Sequence, residues 1–277
     1  MRNALVAAAL TGLATGLGAF PFFFVRELPR RVYDGILGLG AGLMLAAATL
    51  GLLTEALSGV HTPSGIDTTT LLLVVLGFGS GVGMAAVMDR FIPHRHARGH
   101  RQHIFHDDHQ QHQDHHGDGH VHTHEAADED LRRTYLIIGA LSIHRVPEGL
   151  AIGAGFVATE SHSLGLMLAF AVALQNACEG VVMGAPLRRA GVSPFRGLLI
   201  VLLTGSAVPI GALIGNLVST AAVAALPFVL ALAGGTLIYV TSNEIIPESH
   251  SHGHEGTASA GVVAGFLVTM LIGAVLR

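Results

Sequence analysis

Two stretches, His144-Arg145-Val146-Pro147-Glu148-Gly149 and Gln175-Asn176-Ala177-Cys178-Glu179-Gly180, place charged and coordinating side chains inside apolar runs long enough to cross a bilayer. In each, a donor is followed four residues later by a carboxylate: His144 by Glu148, and Gln175 by Glu179. On a helix that spacing stacks both side chains on one face, one turn apart. An ionisable residue at membrane depth costs at least about 2.5 kcal/mol on insertion scales, so such a residue marks function. Two pairs in successive spans predict one metal site shared by two helices.

The rest of the chain agrees with a membrane setting. Of its 277 residues 51% are hydrophobic and only 12% charged, with a mean hydropathy of +0.57. A soluble domain carries about a quarter charged residues. All 15 basic residues are Arg, and Trp is absent. The 36 glycines, with many alanines, let helices pack closely. The single Cys178 excludes an intrachain disulfide and reads first as a small buried hydrophobe. A net charge of -4 without a basic, aromatic-studded stripe speaks against nucleic acid as a partner.

A span needs about 20 apolar residues. Eight segments qualify, near 4–25, 34–57, 69–89, 134–158, 163–187, 196–218, 224–247 and 257–276. The first run exceeds the apolar core of a signal peptide and reads as a retained helix. The sequence therefore predicts an all-α membrane protein, a bundle of eight transmembrane helices. Helices 1–3 occupy residues 1–89, a long connection 90–133, and helices 4–8 residues 134–277. Arg26, Arg30 and Arg31 lie in the first connection, Arg90, Arg95, Arg98, Arg101, Arg132 and Arg133 in the third, and Arg188, Arg189 and Arg196 in the fifth. The second and fourth have none. The positive-inside rule then places odd-numbered connections in the cytoplasm and both termini outside. The expected location is the plasma (inner) membrane, multi-pass.

Twelve of the 18 histidines fall between His94 and His124, interleaved with Asp107, Asp108, Asp114 and Asp118. So polar a tract buries no core and is expected to be a disordered, cytoplasmic His-rich loop. Its imidazoles suit Zn, Ni, Cu and Fe. A shorter echo, His250-Ser251-His252-Gly253-His254-Glu255, is expected on the same side.

Within the membrane, His144 offers an imidazole, Glu148 and Glu179 carboxylates, and Gln175 an amide oxygen, a donor set that suits Zn²⁺ and similar ions. Two carboxylates leave one divalent cation near neutrality, as a low-dielectric surrounding requires. Pro147 lacks an N–H and frees the Ile143 carbonyl, a device tolerated where backbone lines a polar cavity.

With these segments quoted, the chain resembles the ZIP (Zrt/Irt-like) metal transporters, whose fourth and fifth helices carry motifs of the form His-Asn-x-Pro-Glu-Gly. It is most similar to the prokaryotic GufA-like branch. Supporting stretches are Gly42-Leu43-Met44-Leu45-Ala46, Asp89-Arg90-Phe91-Ile92-Pro93-His94 and Glu244-Ile245-Ile246-Pro247-Glu248. The resemblance implies a transport site of His144, Glu148, Gln175 and Glu179, with Met44 as a soft fifth ligand. Many relatives are built for two adjacent ions. Here the second set corresponds to Arg145, Asn176 and Val208, of which only Asn176 can coordinate. Arg145 has no acceptor and stays charged. It is expected to stand in the second ion's place, paired with Glu148 or Glu179, making the site mononuclear.

Asp89, His94, Glu244, Glu248 and His250 fall near the cytoplasmic ends of spans three and seven and could relay the ion to the His-rich loop. Interfacial polarity at helix ends explains them equally well. His61, Asp67, Glu160 and His162 lie on the outer side, where ordinary loop polarity suffices. The leading expectation is a secondary transporter moving Zn²⁺, or Cd²⁺, Fe²⁺ or Mn²⁺, toward the cytoplasm, with no organic cofactor. Its partners are the ion, the lipid bilayer and, as a candidate, a second copy in a homodimer. Two competing readings are an intramembrane metal-dependent hydrolase, which would keep an open metal position for water, and a metal sensor without transport.

Overall fold

The structure is a computed structural model that describes residues 1–62, 65–91, 138–139, 142 and 145–276. The His-rich stretch and His94 lie outside the described residues, as does His144.

Seven described helices are long and apolar enough to cross a membrane: α1 (Arg2–Phe23), α2 (Arg30–Ser58), α3 (Thr68–Arg90), α5 (Ser163–Arg189), α6 (Pro194–Ala221), α7 (Val223–Ser249) and α8 (Glu255–Leu276). Between α3 and α5 residues 145–158 are helical and form α4. The chain is thus an all-α, multi-pass membrane protein, with bounds within a few residues of those read from apolar length. Strand pairing among the described residues is confined to a two-residue hairpin, His61–Thr62 against Gly65–Ile66, between α2 and α3. After it, Asp67 accepts a bond from the Thr70 hydroxyl at 2.5 Å and from the Thr69 N–H at 3.0 Å, closing the start of α3. The Thr70 bond, ahead of the backbone bonds, holds the Asp67 carboxyl below the usual carboxylate range. His162, before α5, adopts φ 57° and its Nδ1 meets the Phe156 carbonyl at 2.8 Å, which binds the α4–α5 connection together.

Lipid offers helices no hydrophobic reason to associate, so close backbone approach does that work. Gly38 and Gly42 on α2 lie against Ala258 and Val262 of α8, and Gly261 and Gly265 on α8 against Gly35 and Leu39 of α2. A Cβ at Gly42 would run into the Val262 carbonyl, and one at Gly265 into that of Leu39. The same device joins α3 to α7 at Gly77 and Gly81, and α4 to α6 at Gly149, Gly153, Gly211 and Gly215. α1 meets α5 where Gly18 faces Ala177 and Gly180 faces Thr15, and meets α6 where Gly12 faces Gly205. The outward faces carry Leu10, Leu17, Leu72, Val75, Leu76, Leu203 and Val275, exposed as lipid-facing side chains are.

Two helices deviate from α geometry at depth. α2 widens to a π-helix over Ala47–Leu53, and α7 over Thr241–Ile245. Such bulges concentrate at functional sites.

Glycine packing gives a paired prediction. Gly42→Leu collides with α8 backbone and should lower the melting temperature in detergent, since overpacking costs about 1–3 kcal/mol. Gly83→Ala, where nothing lies within 4 Å, should leave it unchanged or raise it. Equal melting of the two variants would show that α2 and α8 do not depend on this contact.

Candidate metal centre

α4 and α5 bring the two quoted stretches together. Arg145, Glu148, Gln175, Asn176 and Glu179 are all buried, and Arg145 and Asn176 are inaccessible to solvent. The Gln175 side chain, on α5, joins the two carboxylates. Its Nε2 donates to Glu148 Oε1 at 2.8 Å and to Glu179 Oε1 at 2.7 Å. One nitrogen therefore reaches an oxygen of each carboxylate. Both donors of that amide are used, so its oxygen is turned away from them. Glu148 Oε2 is buried without a hydrogen-bond partner among the described residues. An orphaned carboxylate oxygen is an available ligand atom, and a costly one to leave unused.

Arg145 completes the arrangement from one turn earlier on α4. Its Nη2 donates to Glu179 Oε2 at 2.9 Å, and its Nη1 to the Thr15 hydroxyl at 2.8 Å. The Thr15 hydroxyl itself donates to the Gly12 carbonyl at 2.8 Å. The guanidinium is thus aimed at Glu179 rather than Glu148, and α1 supplies the group that aims it. Thr15 is absent from the sequence reading because a threonine in an apolar helix looks like packing. Only the fold, through the Gly18 and Gly180 contacts, lays α1 against α5. Asn176 donates to the Thr11 carbonyl at 3.1 Å and leaves its own Oδ1 buried and unpartnered. Val208 is buried on α6 and brings no donor atom.

The other expected ligands are spread more widely. Met44 is buried on α2, where its sulfur accepts a bond from the Thr241 hydroxyl at 3.5 Å, in the π-helical part of α7. Asp89 Oδ2 accepts from Asn243 at 2.9 Å and from the Tyr239 hydroxyl at 3.4 Å, which sets Asp89 beside the turn of α7 carrying Glu244. His250 is turned elsewhere, with Nδ1 against the Ile246 carbonyl at 2.9 Å and Nε2 against Ser259 at 3.0 Å. The Glu248 side chain is half exposed and lies 4.0 Å from His252. Of the five residues read as a relay, Asp89 thus meets α7, Glu248 lies near His252 and His250 meets Ser259, while His94 is outside the described residues. Among the described residues no three His, Cys, Asp or Glu side chains are arranged to hold a metal ion. The Glu148–Glu179 pair has its expected imidazole, His144, outside them.

The Arg145–Glu179 pair yields a stability prediction. Removing one partner of a buried ion pair costs about 3–5 kcal/mol, chiefly by stranding the other charge. Arg145→Leu should lower the melting temperature sharply, and adding Glu179→Gln should restore part of the loss. Additive losses in this double-mutant cycle would mean the two side chains do not act as a pair.

Residues 2–273 match the family model described as ZIP Zinc transporter. The chain is 34% identical over 273 residues to "Zinc transporter GufA" of Myxococcus xanthus, covering 98% of each chain. It is 35% identical to "Zinc transporter ZIPB" of Bordetella bronchiseptica, over 94% of this chain and 76% of the relative. To "Zinc transporter ZIP11" of Homo sapiens it is 28% identical, over 97% and 95%.

Proposed function

The chain belongs to the ZIP zinc transporter family, and from that premise we propose that it is a secondary transporter carrying Zn²⁺, or a related divalent ion, across the plasma membrane toward the cytoplasm through a site between α4 and α5. The observation that carries this reading is the single Gln175 nitrogen within hydrogen-bond reach of both Glu148 and Glu179, deep in the bundle. A group that small touching both carboxylates supports one ion doing the same. Rotating the Gln175 amide by half a turn exchanges its NH₂ for its oxygen, and the amide then becomes a ligand. Glu148 Oε2 and Glu179 Oε1 supply charge, and His144 supplies the imidazole. Met44 and imidazole favour borderline ions such as Zn²⁺, Cd²⁺, Fe²⁺ or Mn²⁺ over Mg²⁺ and Ca²⁺.

The site is mononuclear in this reading. Arg145 already occupies Glu179 Oε2, and at an effective dielectric of about 20 a unit charge 4 Å away contributes ~4 kcal/mol, doubled for a divalent ion. A second ion beside the first would meet that repulsion without a carboxylate at Val208 to offset it. Asp89 and Glu244 mark the exit, and the 90–133 connection receives ions on the cytoplasmic side. The arginine distribution supports odd-numbered connections in the cytoplasm and both termini outside. Membership of a transporter family sets the hydrolase reading aside, and flux separates transport from sensing.

Two measurements test this. Zn²⁺ uptake into proteoliposomes should fall at least about tenfold in Glu148→Ala and in Glu179→Ala, since even outer partners of a metal site are worth 10–100-fold. Near-normal uptake in either correctly inserted variant would remove the site. Anomalous diffraction from zinc-loaded full-length protein should show one ion between α4 and α5, and Arg145→Asn should admit a second. Two adjacent ions in the unsubstituted protein would refute the mononuclear reading.

A further inference from the structure

Away from this centre, at the membrane end where α2 begins and α7 ends, Asp34 is fully buried. Its two oxygens meet different imidazoles. His252 Nδ1 lies 2.8 Å from Oδ1, and His254 Nδ1 3.2 Å from Oδ2. Gly253 between them has φ +84°, a left-handed conformation that suits glycine and lets both neighbours turn to one carboxylate. Glu248 stands one helical turn before His252, with Oε1 4.0 Å from Nε2. The histidine side chains keep 25% and 35% exposure, so ions in solution can reach them while the carboxylate stays dry.

A buried carboxylate needs compensation. Arginine is the residue suited to a permanent structural pair. Arg30 and Arg31 lie one turn before Asp34, yet Arg31 Nε donates to Thr257 Oγ1 at 3.2 Å instead. Two imidazoles hold Asp34, and imidazole is the commonest metal ligand.

We propose that Asp34, His252 and His254 form a divalent-metal site for a borderline ion such as Zn²⁺, with Glu248 on the Nε2 side of His252 as the acceptor for its other ring N–H, separate from the centre between α4 and α5. The donors now meet pairwise, as N–H···O bonds, rather than converging on one point. Occupation needs each neutral imidazole to move its proton from Nδ1 to Nε2, which conserves charge and turns the Nδ1 lone pair toward the ion. Ligands around a tetrahedral ion with bonds of about 2.0–2.1 Å stand roughly 3.4 Å apart. The Nδ1···O separations of 2.8 and 3.2 Å are both shorter than this, so each imidazole must draw back from its own carboxylate oxygen to admit the ion. The bound ion would tie α2 to the α7–α8 connection.

The test is diffraction from the full-length protein crystallised with ZnCl₂, recorded on both sides of the zinc absorption edge. An anomalous peak within bonding distance of Asp34, His252 and His254 is expected, lost in Asp34→Asn and in His254→Gln, while a peak at Glu148 and Glu179 is unaffected. Should Asp34→Asn fail to fold, His254→Gln, whose side chain is partly exposed, carries the comparison. Absence of a peak at Asp34, or a peak unchanged in His254→Gln, overturns the proposal whatever is found between α4 and α5.

Discussion

Two carboxylates buried on facing helices repel one another, and much of the surrounding structure is arranged to offset them. The Gln175 amide bridges Glu148 and Glu179, and the Arg145 guanidinium takes the far oxygen of Glu179. Both compensating groups need fixed orientations in a medium that screens little. Arg145 obtains its orientation from Thr15, which puts α1 in contact with the centre although it contributes no ligand. Asn176 ties the same helix to α5 through the Thr11 carbonyl, and Thr11 donates to the Ala169 carbonyl at 3.3 Å. The polar groups that neutralise the carboxylates therefore also lock three helices together.

That locking requires backbones close enough for short side chains to span the gap. Glycine supplies the approach: Gly180 admits the Thr15 carbonyl, and Gly18 admits that of Ala177. A Cβ at either position would push α1 away and take the Thr15 hydroxyl out of reach of Arg145. Small residues and buried charge are thus one arrangement, since the first permits the geometry on which the second depends.

This explains how much could be read in advance. The spans are legible because apolar length suffices to define them, and the i, i+4 pairs are legible because helical spacing puts His144 with Glu148 and Gln175 with Glu179 on common faces. That Arg145 neutralises a carboxylate follows from its depth. Which carboxylate does not, because the choice depends on Thr15, far away in sequence and unremarkable in type. The Gln175 amide reads as a ligand through its oxygen, yet it presents its NH₂, since two nearby carboxylates demand donors. Met44 pairs with Thr241, which opens a π-helical segment that no apolar periodicity reveals. Asp34 escapes notice for a similar reason. Only the turn at Gly253 folds His252 and His254 back onto it.

A guanidinium beside a cation site has a consequence for turnover. In the proposed site a divalent ion meets two negative charges directly and one positive charge farther off, beyond Glu179 Oε2. Arg145 therefore offsets part, less than half, of the Coulombic attraction. An ion held by two uncompensated carboxylates and an imidazole in a dry bundle would enter readily and leave slowly. Conduction requires binding favourable enough for entry and weak enough for release. Arg145 supplies that weakening permanently, where a second ion would supply it only while bound. The same pairing with Glu179 leaves Oε1 to Gln175 and the ion, so the guanidinium tempers affinity while leaving the Glu179 Oε1 ligand in place.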